Sequence, residues 1–202
     1  MADVGTDHAM IPVWLAQTGR ATRILATDIR PGPMQNAAAL VAETDTGDKI
    51  RLMLTDGLTG VAPEDGEVVI IAGMGGETMV SILAVAPWTR ESRCLILEPQ
   101  SKKDHLRRFL VENGYQITQE HLVKDAGRIY PILCVQGGIS PPYEEAELHL
   151  GLLSQIGQDP LFGAYLDLMR AQTAKAAPYD PQAMALLGEF DKIKERFILC
   201  HP

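Results

Sequence analysis

The fold is indicated first by the stretch Asp3-Val4-Gly5-Thr6-Asp7-His8-Ala9, close to the start of a chain of 202 residues. A short apolar run ends there in Asp-x-Gly. A helical stretch begins near Ala9 and has Pro12 in its opening turn, where proline is tolerated. Such a strand–turn–helix directs backbone N–H groups to the carboxyl edge of a parallel sheet, where ligands of these folds bind. Gly5 permits the tight turn, and the small Ala9 allows the helix to pack closely on the strand.

The same alternation of apolar and amphipathic stretches continues through the first 135 residues and predicts a mostly parallel sheet with crossover helices. Helices follow the first, second, fourth and fifth strands. The second helix begins after the Pro31-Gly32-Pro33 break, and the fourth covers 103–112. Two later runs, 115–123 and 128–135, favour an antiparallel hairpin at the sheet edge. The first five strands are predicted at about 1–4, 23–28, 50–54, 67–72 and 93–97.

The loop at 137–142 marks a boundary between two parts of the chain. We therefore expect one domain over residues 1–138 and a helical domain over residues 143–202. The second part has apolar side chains at helical spacing and predicts a small helical hairpin or bundle, which either grips RNA or is structural only. Its helical segments are predicted at roughly 143–156, 161–175 and 181–197.

The charge balance is acidic, with 18 Lys and Arg against 26 Asp and Glu and a formal net charge of −8. This balance argues mildly against a nucleic-acid partner. The densest basic stretch is Lys102-Lys103-Asp104-His105-Leu106-Arg107-Arg108. It predicts either an RNA contact or an ordinary solvated helix face, and the charge alone favours the solvated face. With no run of 18 apolar residues and no signal peptide, we expect no membrane contact and a cytoplasmic protein.

The three cysteines, Cys94, Cys134 and Cys200, belong to no C-x-x-C pair. Neither a zinc site nor a disulfide framework is therefore predicted, and we expect no metal. Cys94 and Cys134 lie inside apolar runs, which predicts buried strand cysteines.

Acidic residues also end the second and third predicted strands. Asp28 comes 23 residues after Gly5, a spacing typical of a carboxylate that accepts both ribose hydroxyls. The alternative is a turn residue before Pro31. Asp56 is placed to accept hydrogen bonds from an adenine amino group, and Gly57 leaves room for the ring, although Asp-Gly is also a common turn.

Asp7 occupies the position of the second glycine in the usual nucleotide-binding turn. A pyrophosphate requires close approach of the backbone there, and a carboxylate would repel it. A cofactor that carries an ammonium and a sulfonium group would be favoured instead. The turn therefore predicts S-adenosylmethionine rather than a dinucleotide.

The fourth strand ends in Gly73-Met74-Gly75-Gly76, and the fifth ends at the same edge in Leu97-Glu98-Pro99-Gln100. Three glycines in four positions let the backbone lie flat against a planar ligand, between cofactor and substrate. If the substrate is a base within an RNA helix, it has to be flipped out, and its face could lie on this loop.

These motifs resemble the TrmK family, bacterial tRNA (adenine-N1)-methyltransferases that modify adenosine 22. The resemblance covers about residues 2–136. It implies the Rossmann-like α/β fold of class I methyltransferases with a seven-stranded sheet and a coiled-coil-like helical domain, S-adenosylmethionine as cofactor, no metal and tRNA as partner. It rests on the turn 3–9, on Ala26-Thr27-Asp28-Ile29, on Ile71-Ala72-Gly73-Met74-Gly75-Gly76, on Pro99-Gln100 and on Arg128-Ile129-Tyr130.

Asp7 is the candidate catalytic residue, because a carboxylate would stabilise the positive charge that develops on the adenine. It could equally be a helix N-cap or a ligand of the cofactor's ammonium group. His8 as a general base is a further hypothesis, against a simple hydrogen bond to backbone. The expected substrate-binding residues are Gly75, Gly76, Gln100 and Tyr130. The expected cofactor-binding residues are Gly5, Asp7, His8, Asp28, Ile29, Asp56, Gly57, Gly73 and Met74.

The sequence departs from the family at Glu98, where glutamine is usual, and at Pro131, where an acidic residue is common. The family's basic helical N-terminal segment does not precede Met1, so we expect either a longer native protein or an uncovered first strand. Two rival functions stay open: a methyltransferase acting on a small molecule, and a catalytically silent protein that binds cofactor or RNA.

Overall fold

A computed structural model of the chain describes residues 1–200, with side chains described for residues 1–198. Its centre is one seven-stranded sheet in the order β3-β2-β1-β4-β5-β7-β6. The first five strands pair in parallel, and the last two form an antiparallel hairpin at the edge, as predicted. The strands are β1 (Ala2–Val4), β2 (Ile24–Asp28), β3 (Ile50–Leu54), β4 (Val68–Gly75), β5 (Cys94–Ser101), β6 (Tyr115–Asp125) and β7 (Arg128–Gly137).

Helices cover the two faces of the sheet. Successive residues of β2 belong to different core clusters, Leu25 to one and Ala26 to the other, because alternate side chains of a strand point to opposite faces. The helices α1 and α2 contact β2 and β3, whereas α3 and α4 contact β4 and β5. Their bounds are α1 (Met10–Gln17), α2 (Pro31–Glu43), α3 (Gly76–Ala84) and α4 (Lys103–Glu112).

The predicted Pro31-Gly32-Pro33 break is instead the first turn of α2. Proline is favoured at this position because its fixed φ suits a helix and its missing N–H would have no intrahelical partner. The strands β4 and β5 also extend three and four residues past their predicted ends, to Gly75 and Ser101. Those extensions pair with each other and bring both strand ends to the ligand edge.

The tail consists of four helices: α5 (Glu145–Leu150), α6 (Leu153–Ile156), α7 (Phe162–Ala176) and α8 (Pro181–Cys200). The segment predicted as one helix over 143–156 is interrupted at Gly151, whose φ of +105° is outside the helical range. Leu122 of β6 shares a hydrophobic cluster with Tyr165 and Phe190, so the tail packs directly on the edge hairpin. The division at 138/143 stays a prediction.

Arg107 joins these parts and is the exception to the predicted solvated or RNA-contacting face, because it is buried whereas Lys102, His105 and Arg108 of the same stretch are exposed. Its guanidinium is fully buried and donates two hydrogen bonds to one oxygen of Glu120, at 2.7 and 3.2 Å. It also donates to the carbonyl oxygens of Leu148 and His149 in α5. Burial disfavours the charged guanidinium, but the adjacent Glu120 carboxylate more than offsets this, so the pKa of Arg107 is raised.

Cys94 and Cys134 are half-buried rather than buried. Burial raises the pKa of the Cys134 thiol, and the neighbouring Cys94 acts in the same direction. The side chain of Cys200 lies outside the described residues. Over the part of the chain that is described, no helix combines the length and apolar character needed to cross a membrane.

Candidate functional site

A pocket of about 360 Å³ lies at the carboxyl ends of β1 to β4. This is the edge at which open α/β sheets bind ligands. Every residue predicted to bind cofactor lines it except His8. The lining residues are Val4, Gly5, Asp7, Asp28, Ile29, Arg30, Asp56, Gly57, Ala72, Gly73, Met74, Thr78 and Ile82.

Gly5 makes the turn that opens the pocket. Its φ is +72°, and a Cβ at this position would lie 2.0 Å from the methyl carbon of Met74. The backbone N–H groups of Gly5 and Thr6 both donate to the carbonyl oxygen of Thr27 at 2.8 Å. The turn is therefore tied to β2, and its positive φ favours glycine, whereas the flexible end of the Met74 side chain could move away from a Cβ.

Asp28 is the most strongly fixed acid of the pocket, with a side chain only 4% exposed. One carboxylate oxygen accepts the backbone N–H of Asp7 at 3.2 Å, and the other accepts that of Arg30 at 2.9 Å. Each oxygen keeps lone-pair capacity for a further donor. Asp28 is thus held rigidly at the position predicted for a ribose ligand.

Asp7 stands above Asp28 with its side chain 58% exposed and its backbone at φ 51°. Its carboxylate lies 3.8 Å from the guanidinium of Arg30 and 3.8 Å from the imidazole of His8. The N-cap of α1 is Ala9, and no side chain caps that helix, so Asp7 is not the N-cap. Its two other predicted roles, catalysis and binding of an ammonium group, remain.

Asp56 and Gly57 follow β3 at the far end of the pocket. The exposed Asp56 carboxylate has no hydrogen-bond partner among the described residues and is free to accept one. A Cβ on Gly57 would lie 2.8 Å from Ile82 of α3, so the glycine keeps that wall of the pocket close. This end has the open carboxylate and the apolar wall that an adenine ring requires.

The last residues of β4, which lead directly into α3, form the opposite end. The pairing of β4 with β5 shifts register around Gly73, which is exposed and has a φ of +76°. A Cβ on Gly73 would meet no heavy atom within 4 Å, so the space above it is open. Its N–H donates to a carboxylate oxygen of Glu98 at 2.9 Å.

The four predicted substrate residues differ in their surroundings. Gly75 pairs with Ser101, whereas Gly76 is buried and a Cβ there would lie 2.2 Å from the carbonyl oxygen of Lys102. The structure therefore gives Gly76 a packing role. Gln100 is exposed at the same edge and Tyr130 is half-buried, and their contact with substrate stays a prediction, as does that of Gly75.

Arg30, Thr78 and Ile82 line the pocket but were not predicted. Arg30 could have been found, because it follows Asp28 by two residues at the carboxyl edge. Thr78 and Ile82 are one helical turn apart on α3, so the sequence predicts that they share a helix face. The sequence does not show that this face meets the pocket.

Asp3 lies two residues before Gly5 in the middle of the sheet and is 4% exposed. Burial raises its pKa from 3.8 to about 6, and the nearby Thr6 side chain acts in the opposite direction. Among the described residues, no group of three or more His, Cys, Asp or Glu side chains is placed to hold a metal ion.

A family model described as a methyltransferase domain matches residues 1–133. The chain belongs to that methyltransferase family. The matched region contains every residue that lines the pocket and ends within β7, so the family assignment covers the whole pocket.

A curated relative of this methyltransferase chain is the tRNA (adenine(22)-N(1))-methyltransferase of Bacillus subtilis (strain 168), which is 30% identical over 156 residues. The match covers 76% of this chain and 65% of the relative. A Mycoplasma genitalium relative is 28% identical and is covered over 60% of its length. The chain thus spans slightly less than two thirds of these curated relatives.

Solved structures extend the likeness to the tail. Streptococcus pneumoniae Sp1610 in complex with S-adenosyl-L-methionine has a TM-score of 0.87 at 28% identity, covering 96% of this chain and 91% of that chain. Bacillus subtilis TrmK has a TM-score of 0.78 at 24% identity, covering 98% and 89%, and shows the shared fold. The predicted class I methyltransferase fold and the resemblance to TrmK are confirmed.

Proposed function

We propose that this chain transfers a methyl group from S-adenosylmethionine to N1 of an adenosine in tRNA. The observation that carries the proposal is the pocket at the sheet edge, where Asp7, Asp28 and Asp56 surround the turn at Gly5. The names of the Bacillus subtilis relative and of the Streptococcus pneumoniae complex support the same reaction and cofactor.

The pocket residues fit this cofactor. Arg30 is the only basic side chain among the lining residues, so the site is net acidic and suits a ligand with ammonium and sulfonium groups rather than a pyrophosphate. Asp28 would hold the ribose hydroxyls, and Asp56 the adenine amino group. When bound, the cofactor supplies an electrophilic methyl group, and the protein's task is to align an acceptor with it.

The tRNA partner is an anion and this chain is acidic, so we expect tRNA to contact basic side chains that have no carboxylate partner. Lys102, Lys124 and Arg128 are exposed at the carboxyl edge of β5 and the tip of the β6–β7 hairpin. Within the described residues, none of the three has a carboxylate within 4 Å. In the tail, Arg170 pairs with Asp191 and Lys194 with Asp167, but Lys175, Lys192 and Arg196 are exposed and have no carboxylate within 4 Å among the described residues. Both the hairpin tip and the tail therefore offer unpaired basic side chains to RNA.

The test is transfer of tritiated methyl from S-adenosylmethionine to tRNA transcripts, followed by nucleoside chromatography. The expected product is 1-methyladenosine, and a transcript with guanosine at position 22 should not be labelled. Label that appears only in small-molecule extracts would instead establish a small-molecule methyltransferase, which the net charge of −8 would suit. Cofactor binding without any transfer would establish a silent binding protein.

A further inference from the structure

Glu98 is not one of the residues that line the pocket, but its carboxylate binds the backbone of Gly73, which is. The strand order places Asp56 after β3, Asp28 at the end of β2 and Gly73 on β4. β5, which carries Glu98, is the next strand outward, and neighbouring strands lie about 4.8 Å apart. If adenine lies at Asp56 and ribose at Asp28, the reactive end of the cofactor points toward Gly73 and Glu98.

The carboxylate of Glu98 is held in place. One oxygen accepts the Gly73 N–H at 2.9 Å, and the Nε2 of Gln100 donates to both oxygens at 3.0 and 3.1 Å. These donors use three of about four acceptor positions and fix the orientation of the group. The space above Gly73, next to this carboxylate, is open.

The charge of Glu98 is also uncompensated at close range. No Lys, Arg or His side chain in the described part of the chain lies within 4 Å of its carboxylate. Lys103 is the cation that it attracts from farther away. Burial and the neighbouring Arg107 lower the pKa of Lys103, while Glu98 acts against them. Asp7, in contrast, has Arg30 and His8 at 3.8 Å, on the ribose side of the pocket.

We propose that Glu98 binds the methyl-accepting base and stabilises the positive charge that this base acquires, an inference that rests on the proposed function. In the transfer, the N1 lone pair forms a bond to the methyl carbon as the carbon–sulfur bond breaks. The positive charge passes from sulfur to the adenine ring, and no proton has to leave. A fixed, uncompensated carboxylate beside that ring lowers the energy of the transition state more than that of the neutral base.

The first test is Glu98→Gln, which keeps the shape and an acceptor for the Gly73 N–H, removes the charge on which this chain relies, and installs the glutamine that is usual in the TrmK family. We expect the single-turnover rate on tRNA at saturating cofactor to fall by about 10²-fold, with the Kd for S-adenosylmethionine nearly unchanged. The matched control is Glu77→Gln, which removes an exposed carboxylate from the first turn of α3 and should leave the rate unchanged. A full rate for Glu98→Gln would overturn the proposal.

The second test does not require turnover. 1-Methyladenosine is a cation at neutral pH, and its binding to the adenosylhomocysteine complex is measured by calorimetry. The wild type should bind it at least about 10-fold more tightly than Glu98→Gln does, while both bind neutral adenosine equally. Equal binding of the cation overturns the proposal. Absence of tRNA methylation by the wild type would refute the proposed function, and this binding comparison would still decide the role of Glu98.

Discussion

The side chain of Asp3 has to be buried in the middle of the sheet while the neighbouring turn at Gly5 reaches the pocket. Because its pKa is raised from 3.8 to about 6, the folded state holds a proton more strongly than the unfolded state. The free energy of unfolding therefore falls as pH rises from about 4 to about 6, and it stays reduced above that pH. The full difference corresponds to about 3 kcal/mol.

We therefore expect Asp3→Asn to raise the free energy of unfolding by up to about 3 kcal/mol at pH 8, and by less at pH 5. Urea denaturation at the two pH values measures it. The exposed Asp48→Asn serves as a control and should change stability by less than about 0.5 kcal/mol. A gain for Asp3→Asn that is the same at both pH values would contradict the titration of Asp3.

Asp28 differs from Asp3 in that its carboxylate accepts two backbone N–H groups and lines the pocket. Asp28→Ala removes charge-assisted hydrogen bonds and should weaken S-adenosylmethionine binding by about 10- to 150-fold, or about 1.5–3 kcal/mol. Isothermal calorimetry gives the dissociation constant. An unchanged constant would remove Asp28 from the cofactor site.

The packing of α4 depends on the buried charge of Arg107, whose burial the sequence of the helix alone does not predict. Leu106, Arg107 and Leu110 form its buried stripe, and the partners of Arg107 lie on β6 and α5. Removing one member of a buried ion pair leaves the other charge without compensation, which costs more than replacing both. The pair therefore fixes how α4, β6 and the tail are arranged.

Glu120→Ala should lower the free energy of unfolding by about 3–5 kcal/mol. The double variant Arg107→Met with Glu120→Leu should lose less than this single variant. Arg108→Ala is the matched control. Arg108 follows Arg107 on α4 and forms an exposed ion pair with Glu145, and loss of this pair should lower the free energy of unfolding by less than about 1 kcal/mol. Chemical denaturation compares the three. Equal losses for Glu120→Ala and Arg108→Ala would show that burial adds nothing to the pair.

The contrast between predicted and unpredicted features follows from the range of the interactions. The seven strands and the acids at Asp28 and Asp56 were predictable, because period and turn chemistry are local and parallel strands end at one edge. Burial of Arg107 was not, because its partners lie 13 to 42 residues away in sequence. The Glu98–Gly73 contact, across 25 residues, also requires the packed sheet.

Across the whole molecule, body and tail are joined by both kinds of contact described above, the shared apolar cluster at Leu122 and the hydrogen bonds of Arg107. Removing the tail after Ser140 would expose that cluster and leave Arg107 without its carbonyl partners. A truncated chain therefore measures loss of stability together with any loss of RNA binding. Single substitutions at Lys124 and Arg128 separate the two effects, because both side chains are exposed.

Gly151 sets a limit on how this chain can vary during evolution. Its φ is +105°, and a Cβ there would lie 2.7 Å from the Glu120 carboxylate oxygen that Arg107 binds. Every single-nucleotide missense change of a glycine codon adds at least a Cβ, so each would displace the carboxylate and strain the backbone together. No conservative replacement exists: loss of Arg107 and Glu120 would remove the steric conflict, but the strain of a residue with a Cβ at φ +105° would remain. The buried ion pair and the backbone conformation together restrict this position to glycine.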